Sequence, residues 1–101
     1  MQIVQGDVFI VAASIPKGAK KIKRSKRGYV LAEGEATGHA HCIVEEIEMY
    51  EKGGVLYLKN DKPVDLRHEE HASVTIPKGE WQVGRVLEYD PFSEETKQVR
   101  D

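Results

Sequence analysis

The sequence predicts an all-β fold, a small single-domain barrel or sandwich of about seven strands. Three observations carry this reading. Short runs of β-branched and aromatic residues recur along the chain, as in Val8-Phe9-Ile10-Val11 and Val55-Leu56-Tyr57-Leu58. Proline and glycine turn signals separate them, as in Pro16-Lys17-Gly18, Gly53-Gly54 and Pro77-Lys78-Gly79. No segment sustains the 3.6-residue apolar period of a long amphipathic helix.

Residues 2–13 read as strand, with Gly6-Asp7 marking a bend or bulge before the β-prone run. Ser14 to Gly18 is a turn, because proline pre-sets φ at the second position and glycine suits the fourth. Lys17 to Arg27 is a basic segment holding seven of the fifteen positive charges. Charge runs are usually solvated surface, and lysines also guard sheet edges against pairing, so the segment is expected to be exposed and mobile. Gly28 to Ala32 returns to strand through Tyr29, Val30 and Leu31. From Leu31 the odd positions run Glu33, Glu35, Thr37, His39, His41 and Ile43, which one strand would place on one face.

Residues 42–52 fit either a helical face (Ile43, Val44, Ile47, Tyr50) or an alternating strand. The lack of an N-cap and the hairpin signal that follows favour strand. Val64 to Leu66 is a short strand that delivers His68. Val74 to Ile76 is strand, and Glu80 to Tyr89 is the last long one. Residues 1–92 form one β domain, and 93–101 read as a polar C-terminal tail. The expected core is Val8, Ile10, Val30, Ile43, Ile47, Leu56, Leu58, Leu66, Val74, Ile76, Trp81, Val83 and Leu87.

Hydrophobic residues make up 40% and charged residues 32%, the balance of a water-soluble globular domain. A net charge of −2 makes the chain as a whole no polyanion binder. One cysteine, Cys42, excludes an internal disulfide. The first residues lack the pattern of a secretory signal, and the longest apolar run is too short for a membrane span. A cytoplasmic location with no membrane association is the expectation.

All four histidines fall in two short motifs, His39-Ala40-His41 and His68-Glu69-Glu70-His71. Neutral imidazole ligates zinc, iron, nickel and copper. His-x-His on a strand turns two rings to one face. His68 and His71 converge only if Glu69-Glu70 forms a turn or bulge, or if the segment is helical. Two such pairs on neighbouring strands make a three- or four-histidine site for a divalent transition metal (zinc, iron or nickel). Glu33, Glu35, Glu46, Glu69 and Glu70 are available as carboxylate partners. Isolated histidines more often pair with carboxylates or line subunit contacts, so it is their grouping that points to a site. Cys42 falls on the opposite face from His41 and reads as a small apolar residue.

His39-x-His41, four residues on Glu46, and six further on Gly53 resemble the first metal motif of the cupin family. Pro77-x-Gly79 resembles the core of its second. The resemblance covers about half the chain and implies a small metal-binding β-barrel with His39, His41 and Glu46 as ligands. The position implied for the last histidine is Gln82, so His68 or His71 would substitute for it. The Gly-His-x-His and His-Glu-Glu-His motifs also resemble those of small uncharacterised bacterial proteins.

Two functions of different class follow. One is a metal-binding β domain, catalytic or not, with His39, His41, His68, His71 and Glu46 as metal residues. The other is a non-catalytic, homo-oligomeric interaction module. In it Lys20, Lys21, Lys23, Arg24, Lys26 and Arg27 meet nucleic acid or an acidic partner.

Overall fold

A computed structural model describes residues 2–33 and 38–85, with the backbone at 89–90 and 95–96. The described residues are all-β, with no helix. None therefore contains a helix long and apolar enough to cross a membrane.

The largest sheet has six strands: β1 (Gln2–Gln5), β2 (Val8–Ala12), β3 (Lys20–Ile22), β6 (Glu48–Lys52), β7 (Val55–Asn60) and β10 (Gly79–Arg85). Their order is β1-β2-β10-β7-β6-β3, every pair antiparallel. β1 and β3 are its free edges, so the sheet is open and not closed into a barrel. Two ribbons, β4 (Tyr29–Glu33) with β5 (Ala40–Ile43) and β8 (Val64–Leu66) with β9 (Val74–Ile76), supply most of the remaining core residues. Cys42 and Arg67 exchange both main-chain hydrogen bonds, at 2.9 and 2.8 Å, which joins β5 to the end of β8.

One apolar cluster ties sheet and ribbons together. Val8, Ile10, Met49, Leu58, Trp81 and Val83 come from the sheet. Tyr29, Leu31, Ala32, Ile43, Val64, Leu66 and Ile76 come from the ribbons. These alternating buried positions hold the two together, because each side chain loses most of its contact with water. Asn60 fastens the far end: its amide donates to Lys62 O, Ile76 O and Pro77 O, and its Oδ1 accepts from Trp81 Nε1. In β10, Gly84 lies opposite Phe9 in regular register, and the Phe9 ring fills the space a side chain would take.

Several expectations are corrected. The strands are shorter and more numerous than the turn signals imply. Lys17 to Arg27 is not a free loop: β3 pairs with β6, and half-buried Ile22 packs on the core. Lys20 and Lys21 occupy an open sheet edge. Ser25 and Gly28 close a tight turn with two 3.0 Å main-chain bonds, so Lys26 and Arg27 are turn residues. Residues 42–52 are neither one strand nor a helix, since β5 ends at Ile43 and β6 begins at Glu48. Exposed Val44 and buried Ile47 share the link between them.

Val30 is half-buried while Leu31 and Ala32 are buried. A bulge at Leu31 explains this, because Val30 pairs with Cys42 but Ala32 with His41. Leu56 and Val74 are half-buried against the core. Leu87 and residues 34–37 lie outside the described residues. Within the expected tail, β12 (Glu95–Thr96) pairs with β11 (Tyr89–Asp90).

Candidate metal centre

The Cys42–Arg67 pair sets the register that builds the site. Counting outward from it, antiparallel pairing sets His41 against His68, Ala40 against Glu69, and His39 against Glu70. The side chains follow that order. The His41 and His68 ring centroids are 4.4 Å apart. The Ala40 N–H donates to Glu69 Oε1 at 2.9 Å. His39 Nδ1 lies 3.6 Å from Glu70 Oε2. The His-x-His and His-Glu-Glu-His motifs are thus two arms of one irregular ladder.

His71 returns to this ladder through a turn. The Glu70 N–H donates to His68 Nδ1 at 3.0 Å within the bend at 69–71. The His71 ring then stands 4.7 Å from His68 and 6.0 Å from His41. His39 lies 5.7 Å from His68 on the other side. The four imidazoles therefore form one cluster. His39 precedes β5 by one residue and does not belong to it.

His41 is the buried member, only 2% exposed. Its Nδ1 lies 2.8 Å from Gln5 Oε1. Gln5 sits at the end of β1, 3% exposed, and its amide donates to Leu66 O at 2.8 Å and Ala72 O at 2.9 Å. With the amide nitrogen so engaged, Oε1 can only accept, and the proton of neutral His41 resides on Nδ1. Its Nε2 then presents a lone pair, 3.5 Å from Asp7 Oδ1. Burial holds His41 below the usual histidine range, with the charge of His68 adding to the effect and Asp7 opposing it. A neutral imidazole with an orienting partner on its other nitrogen is the form a metal takes.

Two further carboxylates are held ionised. Burial raises Asp7, but the hydrogen bond and charge of Arg85 outweigh it and leave the group below its ordinary value. The Ala40 N–H lowers Glu69. His39, His68 and Glu69 bring one ligand atom each to within 4.8 Å of one another. Neutral His68 carries its proton on Nε2, because Nδ1 accepts from Glu70, so ligation through Nδ1 replaces that contact.

Glu46 is not part of this group. Its Oε2 accepts from the Tyr29 hydroxyl at 2.9 Å. Of the basic residues, Arg24 donates to Val44 O and Arg27 to Glu33 and Gly38 O. Lys20, Lys21, Lys23 and Lys26 are exposed. Cys42 is half-buried, and burial pushes its thiol up.

Gln5, Gly6, Asp7 and Arg85 carry no motif that sequence reading selects. The usable signal is the two-residue spacing of Gly6-Asp7 between β-prone runs, which marks a hairpin turn. Gln5 pairs with Val8 across it, so Asp7 stands at the tip. A Cβ on Gly6, whose φ is +59°, would lie 2.8 Å from His71 Nε2 and 3.3 Å from His41 Cε1. Glycine is what lets the rings close over this turn.

A family model described as "Domain of unknown function (DUF8820)" matches residues 4–86, which includes every residue of the histidine cluster. No curated protein and no solved structure matches the chain.

Proposed function

We propose that this chain, which belongs to the DUF8820 family, binds a divalent transition metal through its histidine cluster. One observation carries the reading: His39, His68 and Glu69 converge within 4.8 Å, inside a group of four imidazoles. Imidazole with carboxylate is a borderline donor set, suited to zinc, iron or nickel more than to calcium or magnesium. Two imidazoles and a carboxylate leave an ion an open position, the arrangement that activates water or polarises a bound oxygen. Of the cupin-like ligand set, His39 belongs to this three-ligand group, His41 stands in the imidazole cluster beside it, and Glu69 supplies the carboxylate expected of Glu46.

The test is metal content of protein purified without a nickel column, then melting of chelator-stripped protein with and without added zinc, nickel or iron(II). A saturating ion should raise the melting temperature by about 10 °C. His39→Ala and His68→Ala should remove that rise. An unchanged wild-type melting temperature with every ion would exclude the reading.

A second reading rests on β3. It is an open edge of the six-stranded sheet and carries exposed Lys20 and Lys21, with exposed Lys17, Lys23 and Lys26 nearby. An interaction module contacting nucleic acid or an acidic partner through this edge, as a monomer or a homo-oligomer, would bind more weakly as salt rises. Titration of labelled RNA and DNA at two salt concentrations, with sizing in solution, distinguishes it from the metal reading.

A further inference from the structure

The six-stranded sheet has a second face. Met49, Leu58, Trp81 and Val83 point to the core, where the ribbons pack. Alternation turns the residues between them outward, and the register lines these up across the sheet. One row reads Lys21, Tyr50, Tyr57, Gln82, Val11 and Gln2, a residue from each strand in spatial order. Neighbouring strands stand about 4.8 Å apart, so the row spans roughly 24 Å. In the adjoining row Phe9 covers Gly84 and pairs with Val4, which is 52% exposed.

The solvated face of an antiparallel sheet is ordinarily polar. This one has an aromatic centre, with Tyr50, Tyr57 and Phe9 all half-buried, and positive charge along one side. Lys21 stands beside Tyr50 because β3 pairs with β6. Exposed Lys17, Lys20 and Lys23 continue that side, and Lys52 from the outer face donates to Lys17 O. The basic segment 17–27 has no aromatic residue of its own, and the ladder supplies two. The acidic residues of the face are engaged: Glu48 accepts from the Tyr50 hydroxyl and Glu80 from the Ile15 N–H, with Lys59 between them in register.

We propose that this outer face is a platform for single-stranded nucleic acid, with bases stacked on Tyr50 and Tyr57 and the phosphate chain following the lysines of the β3 side. This rests on the interaction-module reading above and names the ligand class of that edge. A single strand offers what the face can use, free base faces beside a line of phosphates, whereas a duplex keeps its base faces stacked on one another. Stacking on tyrosine tolerates any base, so the binding is of low sequence specificity.

The experiment is fluorescence anisotropy at two salt concentrations. The probes are labelled oligothymidylate and oligouridylate of about 12 nucleotides, within the span such platforms cover, and a DNA duplex of equal length. The wild type should bind both single strands more tightly than the duplex. Tyr50→Leu and Tyr57→Leu keep apolar bulk on the strand but lose the aromatic face, and each should weaken binding by about 10-fold. Tyr57→Phe should bind as the wild type does. Lys21→Gln should weaken binding and lower the salt slope by about 1. Circular dichroism of each variant should match the wild type. Equal binding of duplex and single strand, with both leucine variants unaffected, overturns the platform and leaves a purely electrostatic β3 edge standing. No binding to any probe at low salt overturns the platform and the nucleic-acid form of the interaction module together. A chain that sizes as a dimer and becomes monomeric on Tyr57→Leu assigns the face to a second copy and overturns the proposal as well.

Discussion

Gln5 Oε1 accepts the Nδ1 proton of His41 across 2.8 Å, and the Gln5 amide nitrogen is held by the carbonyls of Leu66 and Ala72. One buried side chain thus joins β1, the end of β8, the segment before β9, and the deepest histidine. Gln5→Leu keeps the volume but strands two carbonyls and the His41 N–H. The expected loss is about 2–4 kcal/mol in urea unfolding of the metal-free protein. If the metal reading holds, the same variant should lose about 10–100-fold in zinc affinity, because the ring is no longer aimed. Unchanged stability would show that water replaces the amide without cost.

Asn60 performs the same service away from the cluster. Its amide serves three carbonyls and the Trp81 indole N–H at once. Asn60→Leu should destabilise by about 2–4 kcal/mol and leave metal stoichiometry at its wild-type value. Denaturant unfolding beside a metal assay separates this structural clamp from the functional one.

Phe9 and Gly84 are coupled through space on neighbouring strands, since the ring occupies the position of any Cβ at 84. Gly84→Ala should cost about 1–3 kcal/mol through overpacking. In a Phe9→Ala background the same change should cost much less. A double-mutant cycle reads the difference, and strict additivity would contradict the contact.

Tyr29 links the fold to alkaline pH. Burial raises its phenol above the ordinary value, and the hydrogen bond to Glu46 adds to this. The folded state therefore keeps the proton longer than the unfolded chain, which ionises near pH 10. Stability from this group is complete below that pH and is lost as pH rises through the folded-state value. Thermal melts from pH 8 to 11 should fall more steeply for the wild type than for Tyr29→Phe. Parallel curves would place the ionisation elsewhere.

The sequence by itself determined the all-β class, the Gly53-Gly54 hairpin and most of the core, because these rest on local chemistry. Alternating apolar residues can bury one face only as strands, and proline or glycine ends them. It also marked the four histidines as one group, since all of them fall in two short motifs, although the strand expected to align His39 with His41 begins only at Ala40. Tertiary structure decided the rest. The Cys42–Arg67 pairing fixes which residues of the two motifs face each other, and it depends on register between segments far apart in the chain. Gln5, Asp7 and Arg85 reach the cluster only because β1, β2 and β10 are neighbours in the sheet. Glu46 has the motif spacing, but Glu69 meets the rings, because ladder register rather than distance along the chain decides which carboxylate arrives. Side-chain alternation is written in single residues, whereas the pairing of distant strands is settled by the packing of the whole core.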